Sequence, residues 1–166
     1  MIIRIAKISD IESIMNMYNS CVRGMINEGI NQWDNEYPNR DIIKNDIKAE
    51  TYYVALLKNK VIAGVNIDQK QDNQYLDVKW KDKTNSFLVV HRLAVSKNWW
   101  GKGIGKLLML YAEDLVIQKK LKSIRLDTYS ENPLAISFYK KLGYEELGAI
   151  NLKPNKKDYY CFEKII

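Results

Sequence analysis

At 166 residues the chain has the size of one domain and can bury a core without disulfide or metal staples. Its 46% hydrophobic content, eleven Tyr and four Trp argue against disorder, and no run approaches the ~20 apolar residues of a membrane helix. The net charge of +6 is uneven: residues 1–50 carry 6 basic against 8 acidic side chains, residues 97–166 carry 13 against 8. A basic C-terminal half suits a polyanion, whether nucleic acid or a phosphorylated cofactor.

The start, MIIRIAKISDIESI, lacks the basic opening, apolar run and small-residue cleavage site of a signal peptide, so a cytoplasmic location is expected. Cys21 and Cys161 lie far apart and share no ligand spacing with the single histidine, His91. No metal site is expected, and both thiols read as small buried hydrophobes of a reducing compartment.

In chain order, Ile2, Ile3 and Ile5 open a short strand. Ser9 and Glu12 read as a capping box ahead of a helix whose apolar face is Ile11, Ile14, Met15, Tyr18, Val22 and Met25. That helix fades between Gly24 and Gly29, and the polar, aromatic segment Asn31–Asp41 follows, with Pro38 before a second short helix over 40–49. Runs 51–57 and 60–68 are strands joined at Lys58-Asn59 as a hairpin. Residues 69–84 read as polar and irregular, and 86–95 as a central strand.

Beyond it, Ile104, Leu107, Leu108, Tyr111 and Leu115 fall on one helical face. Residues 123–129 form a strand, and a short helix starts at Asn132-Pro133, with Asn132 as N-cap, and ends at Gly143. Residues 144–150 and 158–165 supply the last strands. With no repeat, linker or low-complexity tract, residues 1–166 are expected to form a single mixed α/β domain.

The most informative stretch is LAV-SKNWWGKGIGK-LLMLYAEDL, a strand, a glycine-rich turn and an amphipathic helix. Gly101, Gly103 and Gly105 let a ligand approach the backbone, and the donors of a helix start suit a phosphate or pyrophosphate. Spacing excludes two families of phosphate loop. A Walker loop ending at Gly105-Lys106 would need Gly at Trp100 and Ser or Thr at Leu107. A dinucleotide fingerprint would need its third glycine at Lys106.

The loop resembles the acetyl-coenzyme A motif of the GNAT superfamily of N-acetyltransferases, [QR]-x-x-G-x-[GA], with Gly103-Ile104-Gly105 on the G-x-G and Trp100 departing from Gln or Arg. Downstream, Asn132, Ala135, Phe138, Tyr139, Gly143 and Tyr144 match the family's second motif, N-x-x-A-x-x-F-Y-x-x-x-G-[FY]. The resemblance is strongest over residues 86–150. It implies a mixed sheet of six or seven strands with helices on both faces and strands four and five splayed.

By that resemblance, Leu93, Ala94 and Val95 would pair with the pantetheine arm like an added strand. Trp100, Gly101, Lys102, Gly103, Ile104, Gly105 and Lys106 would wrap the pyrophosphate, with weaker binding expected where Trp100 replaces Gln or Arg. Asn132 would touch the cofactor arm, a role compatible with capping its helix. Tyr139 would protonate the departing thiolate, and a backbone N–H near Leu93 would meet the oxyanion. His91 stands near the place where the arylalkylamine branch carries a relay histidine, and an imidazole ordinarily titrates near ~6.5. Glu36 or ordered water are the other candidates for the base.

The acceptor is expected to meet the N-terminal third, where Trp33, Asp34 and Glu36 suit a small cationic amine or simply form a solvated loop. The implied activity is direct acetyl transfer from acetyl-CoA to a primary amine, without a metal. The acceptor is expected to be a small molecule; peptide acetylation and a non-catalytic coenzyme A sensor are the alternatives. Neither nucleic acid nor membrane is an expected partner. Lys119, Lys120 and Lys122 end a helix, where positive charge is favourable in itself. Homodimers are common in the superfamily, so the resemblance keeps a homodimer open, and the sequence itself does not decide it.

Overall fold

The computed structural model describes residues 1–166. Seven strands form one mixed sheet in the order β1-β2-β3-β4-β5-β7-β6. They are β1 (Ile2–Ile5), β2 (Tyr52–Leu57), β3 (Lys60–Asp68), β4 (Phe87–Val95), β5 (Ser123–Tyr129), β6 (Glu145–Ile150) and β7 (Tyr159–Ile165). The helices are α1 (Ile11–Asn27), α2 (Arg40–Lys48), α3 (Ile104–Gln118) and α4 (Pro133–Lys141). β4 and β5 run parallel, with Phe87–Val90 beside Ser123–Leu126, and β5 pairs antiparallel with β7. The chain divides into two compact units, residues 1–67 with 91–110 and residues 68–90 with 111–166.

In the first unit, α1 and α2 bury their apolar faces in a common core. Ile14, Met17, Tyr18, Cys21, Val22 and Met25 meet Ile43, Ile47, Tyr52, Val54 and Val61 there. The helical periodicity of α1 located the stripe but missed Met17 and Cys21. Its start also differs from the expected Ser9–Glu12 box. A 3-10 turn over Ile8–Asp10 precedes the helix, and Asp10 is the N-cap residue. The Asp10 carboxylate takes the Lys7 N–H at 2.7 Å and both Arg4 guanidinium nitrogens at 2.8 and 3.0 Å. Glu12 is drawn away to Arg40, so it cannot reach back to cap. α2 is capped by Asn39, whose carbonyl accepts Ile42 N–H at 3.0 Å, worth about 1 kcal/mol.

The Lys58-Asn59 hairpin is as expected, both residues taking positive φ (48° and 61°), as a primed turn requires. On β3, a Cβ added at Gly64 would lie 2.3 Å from the Tyr52 hydroxyl oxygen and 2.9 Å from two of its ring carbons. We therefore expect Gly64→Ala to displace the Tyr52 ring and lower stability by about 2 kcal/mol or more in a thermal melt.

In the second unit, residues 69–84 are less irregular than their composition suggests. A 3-10 turn over Asn73–Asp77 drops Tyr75 into a cluster with Trp80, Phe87, Tyr129, Tyr159 and Cys161. A buried ion pair fastens this segment. Arg125 and Glu163 face each other across β5 and β7, with side chains 3% and 0% exposed. Glu163 accepts Lys81 N–H at 2.5 Å, and Arg125 donates to the Asp82 carbonyl at 2.9 Å and to Gln71 at 3.2 Å. The apolar face of α3 is rotated from the one expected: Ile104, Leu108, Met109, Ala112 and Val116 are buried, and Leu107 is 41% exposed. In a helix this rich in apolar residues, periodicity alone does not choose the buried stripe.

Burial raises the phenols of Tyr18, Tyr52, Tyr75, Tyr139 and Tyr144 above the ordinary range. The unfolded chain would thus release these protons first, from about pH 10 upward. Their contribution to stability is present below that pH and lost as pH rises through the folded values. Urea midpoints are expected to fall steeply above pH ~10, and flat midpoints there would contradict this assignment.

Candidate functional site

The first unit carries the turn between β4 and α3. Lys97–Trp99 form a 3-10 turn, and Gly101 and Gly103 follow in the left-handed region at φ 72° and 78°. No atom lies within 4 Å of a Cβ built at either position, so the glycines are required by backbone conformation rather than by crowding. The first bond of α3 runs from Leu107 N–H to the Gly103 carbonyl at 3.1 Å. The N–H groups of Gly103, Ile104, Gly105 and Lys106 therefore have no intrahelical acceptor, and they stand at the positive end of a fifteen-residue helix. Lys102 is exposed, its ammonium 4.7 Å from the Trp99 ring centre, and Lys106 is exposed. This is a donor-rich, positively polarised turn suited to a pyrophosphate.

Trp100, expected to replace a cofactor-binding side chain, is used otherwise. Its indole donates to the Val95 carbonyl at 2.7 Å, its backbone N–H goes to Lys97 at 3.2 Å, and its ring packs on the core of the first unit. Gly24 of α1 makes this docking tight: a Cβ there would lie 3.1 Å from the ring. Trp100 closes the turn against β4 and spends both its indole and its backbone donor inside the protein.

Leu93 and Val95 are half-buried and Ala94 is buried. Arg92 sits between His91 and Leu93 at φ 53°, in the left-handed region. Such a residue behaves as a bulge and interrupts the two-residue repeat. The two-residue alternation of a strand therefore does not run unbroken from His91 through Arg92 to Leu93 and Val95. His91 itself is half-buried.

A buried network holds this bulge, and sequence reading missed it. Tyr52 donates to Tyr18 at 3.0 Å, and Tyr18 donates to the Arg92 carbonyl at 2.6 Å. The Arg92 guanidinium reaches Asp46 at 2.6 and 3.1 Å and Tyr37 at 3.4 Å. The partners lie 46 to 74 residues from Arg92, beyond any local periodicity.

Trp33 and Asp34 have structural work in the same unit. Trp33 is 8% exposed and meets Tyr18 edge-on at 5.7 Å. Asp34 accepts the N–H groups of Glu36 and Tyr37, each at 2.9 Å, and so shapes its own turn. Glu36 is exposed.

In the second unit, α4 carries the other two residues. Asn132 caps the helix as expected, accepting Ala135 N–H at 3.0 Å, with Pro133 in the first turn. Tyr139 is 7% exposed, its ring packed on Phe138, Tyr144 and Phe162 at 5.1, 6.0 and 5.9 Å. Burial first, and then the Asp127 charge, push its phenol above the ordinary range, so it keeps its proton at working pH.

Other buried phenols are hydrogen-bonded: Tyr18 to Arg92, Tyr52 to Tyr18, Tyr75 to Asp127, Tyr129 to Glu131 and Tyr144 to Glu113. Tyr139 makes no such bond. No fully buried side-chain oxygen lacks a partner, so the Tyr139 oxygen must reach solvent. A packed ring with an unspent, accessible hydroxyl is a donor waiting for a ligand.

Both cysteines are free and buried. Burial pushes the Cys21 thiol up to about 11 and the Cys161 thiol up to about 12, which leaves neither as a thiolate near neutral pH. No group of three His, Cys, Asp or Glu side chains is placed to hold a metal ion, and no helix is long and apolar enough to cross a membrane.

Comparison with known proteins places these features in a family. The profile of the Acetyltransferase (GNAT) family matches residues 11–144. The chain is 29% identical over 160 residues to an uncharacterized N-acetyltransferase, YesJ, of Bacillus subtilis (strain 168), covering 95% of this chain and 86% of YesJ. A crystal structure of a GNAT-family acetyltransferase from Streptococcus agalactiae 2603 superposes with a TM-score of 0.85 at 25% identity, covering 99% of this chain and 95% of that one. The PaiA N-acetyltransferase of Thermoplasma acidophilum, solved in complex with coenzyme A, shares the fold at a TM-score of 0.73 and 20% identity, covering 99% and 98%. The glycine turn and the α4 motif both fall inside the matched segment, and the chain belongs to the acetyltransferase (GNAT) family.

Proposed function

We propose that this acetyltransferase moves the acetyl group of acetyl-CoA directly onto the primary amine of a small molecule. What carries the reading is the unspent phenol of Tyr139, buried by its ring and open at its oxygen. Acyl transfer from a thioester must protonate a departing thiolate, and a phenol that stays neutral at working pH supplies that proton.

The left-handed glycines and the free N–H groups of Gly103–Lys106 would hold the pyrophosphate of acetyl-CoA. The backbone of Leu93 and Ala94 would pair with its pantetheine arm, while the Val95 carbonyl already serves Trp100. The Tyr18–Arg92 bond holds the bulge that sets this stretch of β4. Asn132, as cap of α4, fixes the start of the helix that carries Tyr139. His91 is the base in this reading, and Glu36 is the acidic side chain of the N-terminal segment left exposed for an acceptor. Because Trp100 is turned into the core, its departure from the family pattern costs the cradle no backbone donor at Gly103–Lys106, which supports coenzyme A binding.

The test is release of free coenzyme A thiol from acetyl-CoA across a panel of primary amines: spermidine, lysine and alanyl peptides. Thiol release that depends on a small amine supports the reading, and release with alanyl peptides alone would move the acceptor to protein N-termini. Coenzyme A binding without turnover on any amine would favour the sensor. Failure to bind coenzyme A would refute the assignment of the glycine turn.

A further inference from the structure

The second unit holds a carboxylate that the reaction as described leaves unused. Asp127 lies on β5 opposite Cys161 of β7. Strand alternation puts Ser123, Arg125, Asp127 and Tyr129 on one face of the sheet. The contacts agree: Arg125 pairs with Glu163, and Tyr129 meets Tyr159 at 5.4 Å. This is the face covered by residues 69–84, and its cluster is aromatic, with Tyr75, Trp80, Phe87, Tyr129 and Tyr159 all buried.

Asp127 is half-buried among them. Its Oδ2 accepts the Tyr75 hydroxyl at 2.6 Å, and Tyr75 is itself 0% exposed, so one side of the carboxylate is pinned from beneath. A carboxylate placed in an aromatic cluster carries a desolvation cost that apolar residues would not. Carboxylate and aromatic faces together are the chemistry that holds an ammonium group.

The position also relates to the acid. Leu126, the neighbour of Asp127, pairs with Phe162, and Tyr139 packs on Phe162 at 5.9 Å. One strand therefore presents the carboxylate on one face and backs the Tyr139 ring on the other. Asp127 also contributes, after burial, to raising the phenols of Tyr75 and Tyr139 and the thiol of Cys161, so its charge is felt at the acid.

Resting on the reading of the protein as an amine acetyltransferase, we propose that Asp127, held by Tyr75, is the anchor for the ammonium group of the acceptor. It selects cationic primary amines among the acceptors. Base catalysis remains with His91; Asp127 acts in binding. Tyr75 from the 69–84 segment and Cys161 from β7 face Asp127, while Tyr139 lies on the other side of the strand and feels only its charge. Arg125, on its own strand, is committed to Glu163.

The experiment compares wild type, Asp127→Asn and Tyr75→Phe with spermidine and an alanyl tripeptide as probes. Both steady-state thiol release and calorimetric binding of each amine to the coenzyme A-loaded protein are read. Asp127→Asn is expected to raise the amine KM and weaken amine binding about tenfold or more, leaving the KM for acetyl-CoA unchanged. Tyr75→Phe, which removes one hydrogen bond to the carboxylate without removing its charge, is expected to give a smaller rise in the same parameter. An unchanged amine KM in Asp127→Asn overturns the anchor, as does a loss confined to kcat, loss of coenzyme A binding or failure of wild type to bind either amine. Amine binding that weakens in Asp127→Asn, in a protein that never releases thiol, would uphold the anchor and refute the transferase.

Discussion

Tyr139→Phe is expected to lower kcat by about 10²-fold or more while leaving the melting temperature and the affinity for coenzyme A almost unchanged. The asymmetry follows from what the hydroxyl does in the free protein. It makes no hydrogen bond there, and the ring alone supplies the contacts with Phe138, Tyr144 and Phe162. Phenylalanine keeps those contacts and strands no buried partner, so the usual cost of deleting a buried hydroxyl is absent. The same change at Tyr18 would orphan the Arg92 carbonyl and release the bulge.

The pH profile supplies a second readout. Burial and Asp127 both raise the Tyr139 phenol, so wild type should show no alkaline loss of kcat from this group below the ordinary phenol range near ~10. A mutant that melts early would show that Tyr139 is structural. One that retains full turnover would remove it from the chemistry.

Most of the fold was legible because its signals are local. The strands follow β-branched runs, the hairpin follows Lys58-Asn59, and α4 follows an Asn-Pro start and a Gly stop, with Gly143 at φ 84°. Two kinds of feature were not legible. The first is competition for one side chain. Ser9 and Glu12 have capping-box spacing, yet Arg4 and Lys7 organise Asp10 and Arg40 takes Glu12. Trp100 likewise stands at a ligand position of the motif, but a carbonyl five residues back claims its indole.

The second is long-range polar pairing. Arg92 reads as an ordinary strand residue and turns out to be a left-handed bulge, held by Tyr18 from α1 and Asp46 from α2. Asp127 reads as the polar member of a strand, and only the fold brings Tyr75 beneath it from 52 residues away. The motif stretches, residues 100–106 and 132–144, were legible because each is one local run of sequence, whereas the side chains that support them from elsewhere in the chain needed the structure.

Arg125→Met is expected to be the most destabilising of the substitutions considered, at about 3–5 kcal/mol, because Glu163 would keep its charge at 0% exposure without a cation. Ser123 Oγ at 3.0 Å and the Lys81 N–H at 2.5 Å would remain as donors. Neither neutralises the carboxylate. The guanidinium also lies 4.6 Å from the Trp80 ring centre and 4.0 Å from that of Phe87, and it bonds Asp82 and Gln71. Its loss should therefore free residues 71–84 as well as expose the charge.

At roughly 2–4 °C per kcal/mol for a chain of this size, the melting temperature should drop by about 10 °C. The double variant Arg125→Met with Glu163→Leu separates the two contributions. Replacing both members of a buried pair by apolar groups is often near neutral, so whatever loss persists measures the clamp on residues 71–84. If the double variant is as unstable as the single one, the clamp dominates; if it recovers fully, the unpaired charge was the whole cost. Hydrogen exchange at Tyr75–Trp80 should follow the same division, fast in both variants under the first outcome and fast only in Arg125→Met under the second. The segment that holds Tyr75 beneath Asp127 would then owe its place to Arg125, two residues from Asp127 on β5, and to its partner Glu163 on β7.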